Sequence, residues 1–254
     1  MSFYHQPYIR SVSLKREDLP SLHSYPFNIP SIRYLKDLSL HPNVTLIVGE
    51  NGMGKSTLLE AIAMAIGFNP EGGSLNFTFS TYDSYSNLDQ YMKVVRGIDR
   101  PQDGFFLRAE SFYNVATNIE EMDRDPLTAP KVIDSFGGKS LHEQSHGEAF
   151  FSTFMNRFRG KGLYILDEPE AALSPLRQLS MLSRIHELVK DHSQFIIATH
   201  SPILMAYPSS NLIQLTDNGL SEANLEETSH YQIMKQFFED RERMLHHLFK
   251  EEKG

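Results

Sequence analysis

Short apolar runs, each followed by turn-forming residues, predict buried strands along the chain. Four runs are rich in Val, Ile, Leu and Phe and are expected to be covered on both faces, as in a parallel sheet: 44–48, 104–109, 163–166 and 194–199. An N-terminal strand is expected at 8–14, where apolar and polar residues alternate imperfectly, and a further strand at 77–81. Two runs near the end, 211–215 and 220–225, suggest a hairpin.

Helix-forming composition and apolar residues at helical spacing predict helices between these strands. The expected helices are 58–66, 87–96, 148–159, 175–190 and 230–250. In the fourth, the expected apolar face is Leu179, Leu182, Ile185, Leu188 and Val189. In the last, the candidates are Ile233, Phe237, Met244, Leu245 and Leu248. Strands that alternate with helices in this way predict an α/β fold.

Prolines and glycines mark the irregular parts of the chain. Residues 17–43 carry four prolines and predict short strands and turns, and 67–76 is expected to be a loop. The stretch Asp123–Lys139 contains Pro126, Pro130, Gly137 and Gly138. We expect it to be mobile without nucleotide.

Composition bounds the function classes. The chain has 254 residues, enough for one large α/β domain or two small ones, with 40% hydrophobic and 22% charged residues. Its formal net charge of −8 disfavours nucleic-acid binding over the whole surface, although a local basic groove stays open. The absence of cysteine excludes disulfides and thiolate metal sites. No apolar run approaches the roughly 20 residues that span a bilayer, and the N-terminus lacks a secretory pattern, so we expect a cytoplasmic protein.

Residues Gly49–Thr57 read G-E-N-G-M-G-K-S-T, a complete phosphate-binding loop between a predicted strand and a predicted helix. Its glycines let backbone N–H groups turn toward a phosphate at a helix N-terminus. Lys55 is expected to reach the β- and γ-phosphates, and Ser56 to hold Mg²⁺. The expected nucleotide contacts are Gly49, Asn51, Gly52, Gly54, Lys55, Ser56 and Thr57.

A second motif, Leu163–Glu170, is an apolar strand that ends in carboxylates. Asp167 is expected to hold Mg²⁺ through water, and Glu168 to polarise the attacking water as general base. The alternative is a pair of solvated acids at a strand end. The upstream phosphate-binding loop favours the catalytic interpretation.

Two further features complete the candidate site. His200 follows the strand 195–199 and is expected to contact the γ-phosphate, the alternative being a core histidine. Ser145–Glu148, S-H-G-E, opens the helix expected at 148–159. It fits a capping box, and its Ser145 and Gly147 also fit an anion site for a γ-phosphate presented by another subunit.

This order of motifs resembles the ABC-type ATPases from roughly residue 30 to 202. Gly49–Ser56 resembles their Walker A loop, Ser145–Glu148 their signature and Leu163–Glu168 their Walker B strand. Glu170–Ser174 resembles the D-loop and His200 the switch histidine. Transporters carry S-G-G-Q and D-E-P-T-S-A-L-D, whereas this chain has S-H-G-E and D-E-P-E-A-A-L-S-P, similar to the soluble RecF-, OLD- and SMC-like branch. The similarity extends to short bacterial proteins of the "predicted AAA-family ATPase" type, which share F-L-R-A-E-S-F, H-E-Q-S-H-G-E and A-T-H-S-P-I-L.

The resemblance implies a fold and a layout. It implies an α/β P-loop NTPase of the ABC-type ATPase head class, with a mainly parallel central sheet, an N-terminal antiparallel β subdomain and a small helical subdomain. The layout is one domain over 1–254. Its expected parts are 1–80 with Walker A, about 81–160 with the signature, 161–226 with Walker B and the switch histidine, and the C-terminal helix 227–254.

The resemblance also implies a mechanism. Two chains would meet head to tail as an ATP-dependent homodimer, each holding ATP and Mg²⁺ between its own Lys55 and its partner's Ser145–Gly147. Glu168, His200 and Lys55 would be catalytic, in a slow ATPase whose output is opening and closing. By order, Glu110 takes the place of the glutamine that senses Mg²⁺ in transporters, with Gln144 as the weaker candidate. Ser174 replaces the usual D-loop Asp, and Arg33 or Tyr34 is a candidate contact for adenine.

The process stays open at the sequence level. A DNA-related or defence-related role is favoured, and the alternative is the nucleotide-binding subunit of an ABC transporter, which predicts membrane association through a partner. A small-molecule kinase would not need Glu168, His200 or S-H-G-E, and a degenerate ATP-binding module would not keep every catalytic position filled. DNA and an unknown protein are both candidate partners, whereas a membrane partner is not expected. The candidate basic residues for DNA are Lys93, Arg96, Arg100, Arg157, Arg159 and Lys161.

Overall fold

The computed structural model describes residues 6–75, 86–124 and 131–249. Its strands are β1 Ile9–Leu14, β2 Leu38–Ser39, β3 Val44–Val48, β4 Met92–Arg96, β5 Asp103–Arg108, β6 Gly162–Asp167, β7 Gln194–Ala198, β8 Ser210–Thr216 and β9 Gly219–Glu222. Its helices are α1 Pro30–Arg33, α2 Lys55–Ile66, α3 Phe112–Asp123, α4 His146–Arg157, α5 Pro175–Lys190, α6 Pro202–Met205, α7 Ser229–Glu239 and α8 Arg241–Leu248. The strand predicted at 77–81 and part of the irregular stretch 123–139 lie outside the described residues.

The central sheet has the order β5-β6-β7-β3-β8-β9. Its first five strands run parallel, and β9 closes the edge as the antiparallel arm of a hairpin with β8. A separate antiparallel sheet has the order β2-β1-β4. The predicted α/β class, with a mainly parallel central sheet beside an N-terminal antiparallel one, is confirmed.

The core lies on both faces of the central sheet, which explains the continuous apolar strands. On β3, Leu46 packs in one buried cluster with side chains of α3, α4 and α5, while Ile47 packs in the other with side chains of α2. Because neighbouring residues of a strand face opposite sides, both must be apolar here. This packing fixes β3, and with it the loop that follows, at the middle of the sheet.

The parallel register brings the predicted motifs to one edge. Ala198 of β7 lies opposite Ile47 of β3 on one side and opposite Asp167 of β6 on the other. The carboxyl ends of these three strands therefore coincide, which is where parallel α/β sheets bind ligands. The phosphate-binding loop, the carboxylate pair and His200 all lie at or just after these strand ends.

The helix predicted over 87–96 is wrong. Residues Asn87–Tyr91 form a short 3₁₀ turn, and Met92–Arg96 form β4. Val94 pairs with Val12 in the antiparallel register of β1. A β-branched residue in this stretch packs better in a pleated sheet than in a helix, so the tertiary pairing decides the outcome.

The last predicted helix is divided in two. Asp240, with φ −143° and ψ 64°, interrupts the helix between α7 and α8, and its side chain accepts a hydrogen bond from the Arg243 N–H (3.1 Å). Neither helix carries a fully buried residue, and the predicted apolar side chains Ile233 and Leu248 are 53% and 67% exposed.

The apolar face predicted for 175–190 is wrong at one position. Leu179 is 52% exposed, and Met181 is buried in its place beside Ile185 and Leu188. Helix α5 otherwise spans the predicted residues, and the predicted terminal hairpin forms as β8 and β9.

Within the described part of the chain, none of the helices combines the length and the apolar character needed to cross a bilayer.

Candidate functional site

The loop between β3 and α2 depends on glycines at two points. Gly54 has φ +86°, and a Cβ there would lie 2.7 Å from Cγ2 of Ile29. Gly49 has φ +154°, and a Cβ there would lie 2.8 Å from the carbonyl oxygen of Leu215. Since positive φ and this close approach both exclude a side chain, glycine is required at each point. The loop thus adopts the curl expected of a phosphate cradle.

Lys55 is buried under the loop (4% exposed). Its Nζ donates hydrogen bonds to the carbonyl oxygens of Gly49 (3.0 Å) and Glu50 (3.3 Å), and lies 3.9 Å from Oε1 of Glu168. Burial lowers the pKa of Lys55, and the nearby carboxylates, Glu168 first, oppose that shift. A buried ammonium with carbonyl partners fits a polyphosphate, whose anionic oxygens would add negative charge beside Lys55.

Ser56 and Asp167 form the candidate metal site. The Ser56 hydroxyl donates to Oδ1 of Asp167 at 3.0 Å, and Arg108 Nε lies 3.4 Å from Oδ2. Burial raises the pKa of Asp167 to about 6, against the opposing effect of Arg108. A hydroxyl and a carboxylate side by side are hard oxygen donors, and a cation would relieve the cost of the buried carboxylate, so these residues fit Mg²⁺.

Glu168 occupies the left-handed region of the backbone, with φ +49° and ψ +52°. Such a conformation is uncommon for a residue with a side chain, and it is held here by an N–H hydrogen bond to the carbonyl of Ala198 (3.0 Å). Its carboxylate is partly exposed and lies between two cationic or polar groups, 3.9 Å from Lys55 and 3.2 Å from Nε2 of His200. This position suits a base that must reach a water molecule.

His200 is held from two sides. Its main-chain N–H donates to Oε1 of Glu170 (2.5 Å), and Nδ1 of its ring lies 2.9 Å from Nε2 of His230. Burial, followed by the charge of Lys55, lowers the pKa of His200, while Glu168 opposes the shift. His200 is therefore favoured as a neutral imidazole in the absence of nucleotide.

Ser145 and Gly147 are at the start of α4, with Ser145 as its N-cap. The predicted capping box is present, with the Ser145 hydroxyl donating to Oε2 of Glu148 at 2.7 Å. A Cβ on Gly147 would lie 2.4 Å from the carbonyl oxygen of Ala172, so close packing against the turn after Glu168 requires glycine there. Ser145 itself is exposed.

Glu110 and Gln144 are the two candidates for the Mg²⁺-sensing position. The side chain of Glu110 is 89% exposed, and its Oε2 lies 3.6 Å from Nη2 of Arg108. Gln144 donates to the carbonyls of two residues in its own turn. Asn51 is exposed and Thr57 is half-buried beside the loop.

The candidate adenine contacts lie beside the phosphate-binding loop. The Ser31 hydroxyl donates to the carbonyl of Met53 (2.6 Å), which fixes α1 against this loop. Tyr34 is 50% exposed, and the Arg33 guanidinium lies 5.9 Å from the centre of its ring. Tyr34 is thus available on the surface, and Arg33 is partly buried.

Sequence reasoning missed three residues of the site: Glu60, Arg108 and His230. Nη1 of Arg108 lies 2.8 Å from Glu60, and the same guanidinium faces Asp167. The register of β5 and β6 sets Arg108 opposite Asp167. The signal available in the sequence was a cation at the end of a predicted strand, but its neighbour could not be known without the strand order.

Comparison with known proteins supports the chemistry of this site. A family model described as "AAA domain" matches residues 27–132, and a second, described as "AAA domain, putative AbiEii toxin, Type IV TA system", matches residues 140–206. The first covers the phosphate-binding loop, and the second covers S-H-G-E, the carboxylate pair and His200.

Curated relatives share about a quarter of their residues with this chain. The "Probable ATP-dependent transporter ycf16" of Cyanidium caldarium is 28% identical, covering 72% of this chain and 80% of its own length. The "Energy-coupling factor transporter ATP-binding protein EcfA" of Methanosphaera stadtmanae is 24% identical, covering 87% and 80%. The "Cobalt import ATP-binding protein CbiO" of Salmonella typhimurium is 27% identical, covering 76% and 74%.

Solved structures with a similar arrangement include the cbiO1 protein of Clostridium perfringens, with a TM-score of 0.46, 18% identity and coverage of 85% of this chain and 91% of that one. The SMC head domain of Thermotoga maritima gives a TM-score of 0.42, 17% identity and coverage of 85% and 98%. The AAA-domain matches, together with the phosphate cradle and the carboxylates assembled beside it, make this chain an ATP-binding and ATP-hydrolysing enzyme of the P-loop type.

Proposed function

We propose that this ATPase works as an ATP-gated homodimer. Two copies meet head to tail, and each ATP lies between Lys55 of one copy and the Ser145–Gly147 corner of the other. Hydrolysis removes the shared ligand, and the two copies separate. The role of ATP hydrolysis is then to convert the dimer into monomers.

The observation that supports this proposal is that the contacts of the candidate residues fall into two groups. Lys55, Ser56, Asp167, Glu168 and His200 form one connected cluster. The Ser145 hydroxyl is exposed and hydrogen-bonds within its own helix turn, to Glu148. An exposed helix N-terminus attracts anions, and a second copy would present its γ-phosphate there.

The contacts of the cluster support a role for each catalytic residue. Bound Mg²⁺ would supply charge neutralisation at the phosphates, with Ser56 and Asp167 as its protein ligands. Lys55 and His200 both lie near Glu168 in the described structure. A triphosphate would give these two groups an anionic partner, which frees the Glu168 carboxylate to accept a proton from the attacking water. Glu110 is proposed to meet Mg²⁺ through water, which requires its exposed side chain to turn away from Arg108.

We place the process among DNA-related or defence-related functions of the cytoplasm. The resemblance to the RecF-, OLD- and SMC-like branch supports this, and the second family match carries a toxin description. The net negative charge of the chain argues against extensive contact with DNA. Arg157 is paired with both oxygens of Asp103 (2.8 and 2.9 Å), so DNA contact would depend on other cations such as Arg159 and Lys161.

The second candidate is the ATP-binding subunit of a transporter, because curated relatives carry transporter names. Glu170, where transporters have Thr, favours the soluble branch. Its carboxylate is mostly buried and accepts the N–H of His200, so it helps to position the switch histidine. A transporter subunit should sediment with membranes from its native host, and the homodimer should remain in the supernatant.

The deciding experiment uses Glu168→Gln with ATP and Mg²⁺ on a sizing column. The amide cannot act as a base, so hydrolysis should fall about 100-fold or more while nucleotide still binds. The variant should therefore elute as a dimer with ATP and as a monomer with ADP. Glu226→Gln, an exposed exchange of the same kind, should behave as the unaltered chain. A Glu168→Gln protein that binds ATP yet stays monomeric would exclude the proposal.

A further inference from the structure

A second histidine lies directly behind the switch histidine. Nε2 of His230 is 2.9 Å from Nδ1 of His200, and the two ring centroids are 5.0 Å apart. His230 belongs to the first turn of α7, so the C-terminal part of the chain contributes a side chain to a cluster otherwise built at strand ends.

The start of α7 is anchored where it meets the site. Thr228, which is 1% exposed, caps the helix by accepting the N–H of Tyr231 (3.3 Å), and it donates to the carbonyl of Leu225 (2.7 Å). The Ser229 hydroxyl donates to Oε1 of Glu50 (2.9 Å), which belongs to the phosphate-binding loop. His230 is therefore held in a fixed relation to both the loop and His200.

The contact between the two rings constrains their protons. A neutral imidazole has one donor and one acceptor nitrogen, so a bond between Nδ1 of His200 and Nε2 of His230 needs one of them protonated. On the other side of its ring, Nε2 of His200 lies 3.2 Å from the Glu168 carboxylate, which only accepts when ionised. When His230 donates from Nε2, His200 carries its own proton on Nε2, a buried atom that faces Glu168 and completes no hydrogen bond among the described residues. The opposite tautomer would set a lone pair against the carboxylate.

We propose that His230 is a positioning residue for ATP hydrolysis. It donates to Nδ1 of His200 and thereby holds the tautomer whose Nε2–H faces Glu168 and the phosphate pocket, where it can donate to a γ-phosphate oxygen. This inference rests on the proposed role of His200. His230 acts through that ring and does not itself reach the reacting atoms.

The test compares two substitutions of His230. His230→Phe keeps a ring of similar size and removes the donor, and we expect kcat to fall about 10- to 100-fold with KM for ATP within about twofold. His230→Gln places an amide donor near the former Nε2, and we expect it to recover at least about half of the original kcat. His246→Phe, on the exposed side of α8, is the matched control and should match the unaltered chain.

A spectroscopic measurement reads the proton directly. Long-range ¹⁵N–¹H spectra of the nucleotide-free protein should show His200 protonated at Nε2, and His230→Phe should give a mixture of tautomers. A His230→Phe enzyme with unchanged kcat, or a His230→Gln enzyme as slow as His230→Phe, would overturn the inference. The proposed function fails separately, if Glu168→Gln binds ATP yet stays monomeric. A His200→Ala enzyme with the original rate would overturn the present inference as well.

Discussion

Ser56 and Asp167 lie 111 residues apart in the chain, and the Ser56 hydroxyl donates a 3.0 Å hydrogen bond to the Asp167 carboxylate. Ser56 is the second residue of α2, and Asp167 is the last residue of β6, which lies two places from β3 in the sheet. Their contact unites two separate motifs into one set of oxygen donors.

Asp167→Asn should raise the Mg²⁺ requirement of the ATPase. An amide oxygen is a poorer ligand for Mg²⁺ than a carboxylate, so the Mg²⁺ concentration at half-maximal rate should rise about 10-fold or more. A Mg²⁺ titration at saturating ATP measures this. Asp217→Asn, an exposed exchange in the β8–β9 turn, should leave the titration unchanged. An unaltered Mg²⁺ requirement in Asp167→Asn would remove this residue from the metal site.

The same substitution should stabilise the protein that holds neither metal nor nucleotide. Burial raises the pKa of Asp167 from 3.8 to about 6. When the pKa of a carboxyl is higher in the folded than in the unfolded protein, its protonated form favours folding. The resulting gain in the free energy of unfolding is complete below the unfolded-state pKa and is lost as the pH rises through the folded-state pKa. Asparagine cannot ionise, so the variant should be more stable at pH 8 by roughly 1 to 3 kcal/mol, and less so as the pH falls toward 4. Urea unfolding in EDTA at several pH values measures the difference, and a pH-independent difference would contradict it.

Arg108→Met should destabilise the fold. Its guanidinium faces two largely buried carboxylates, Glu60 at 2.8 Å and Asp167 at 3.4 Å, and is itself 11% exposed. Removing the cation takes the ion-pair partner from both acids, and breaking a buried pair in this way typically costs about 3 to 5 kcal/mol. Lys235→Met removes an exposed pair with Glu239 and should cost less than about 1 kcal/mol. Comparable losses for the two variants in urea unfolding would show that Arg108 does not compensate buried charge.

The local parts of the fold could be predicted from sequence, and the contacts between distant segments could not. The strand at 44–48 has Val, Leu or Ile at four of its five positions, and this composition alone predicts the burial that all five residues show. Met92–Arg96 became a strand because β1 offers a pairing partner, and no local pattern carries that information. The motif residues Lys55, Asp167 and His200 could be named because phosphate chemistry demands those residue types. Arg108 and His230 could not, because strand order brings Arg108 to its partner and the position of α7 brings His230 to its partner.

The proposed head-to-tail homodimer predicts that two inactive variants restore activity when mixed. Lys55→Ala loses the phosphate contact, and Ser145→Glu sets a carboxylate where a γ-phosphate should bind. Each variant alone should therefore hydrolyse ATP at roughly a few per cent of the original rate. In a mixed dimer, the Lys55 of the Ser145→Glu chain faces the intact Ser145 of the Lys55→Ala chain, so one of the two sites is complete. With random pairing at equal amounts, half of the dimers are mixed, and the rate should reach about a quarter of the original. Titrating one variant into the other should give a maximum near equal amounts. If the mixture never exceeds the sum of its parts, each chain completes its own site and the head-to-tail arrangement is excluded.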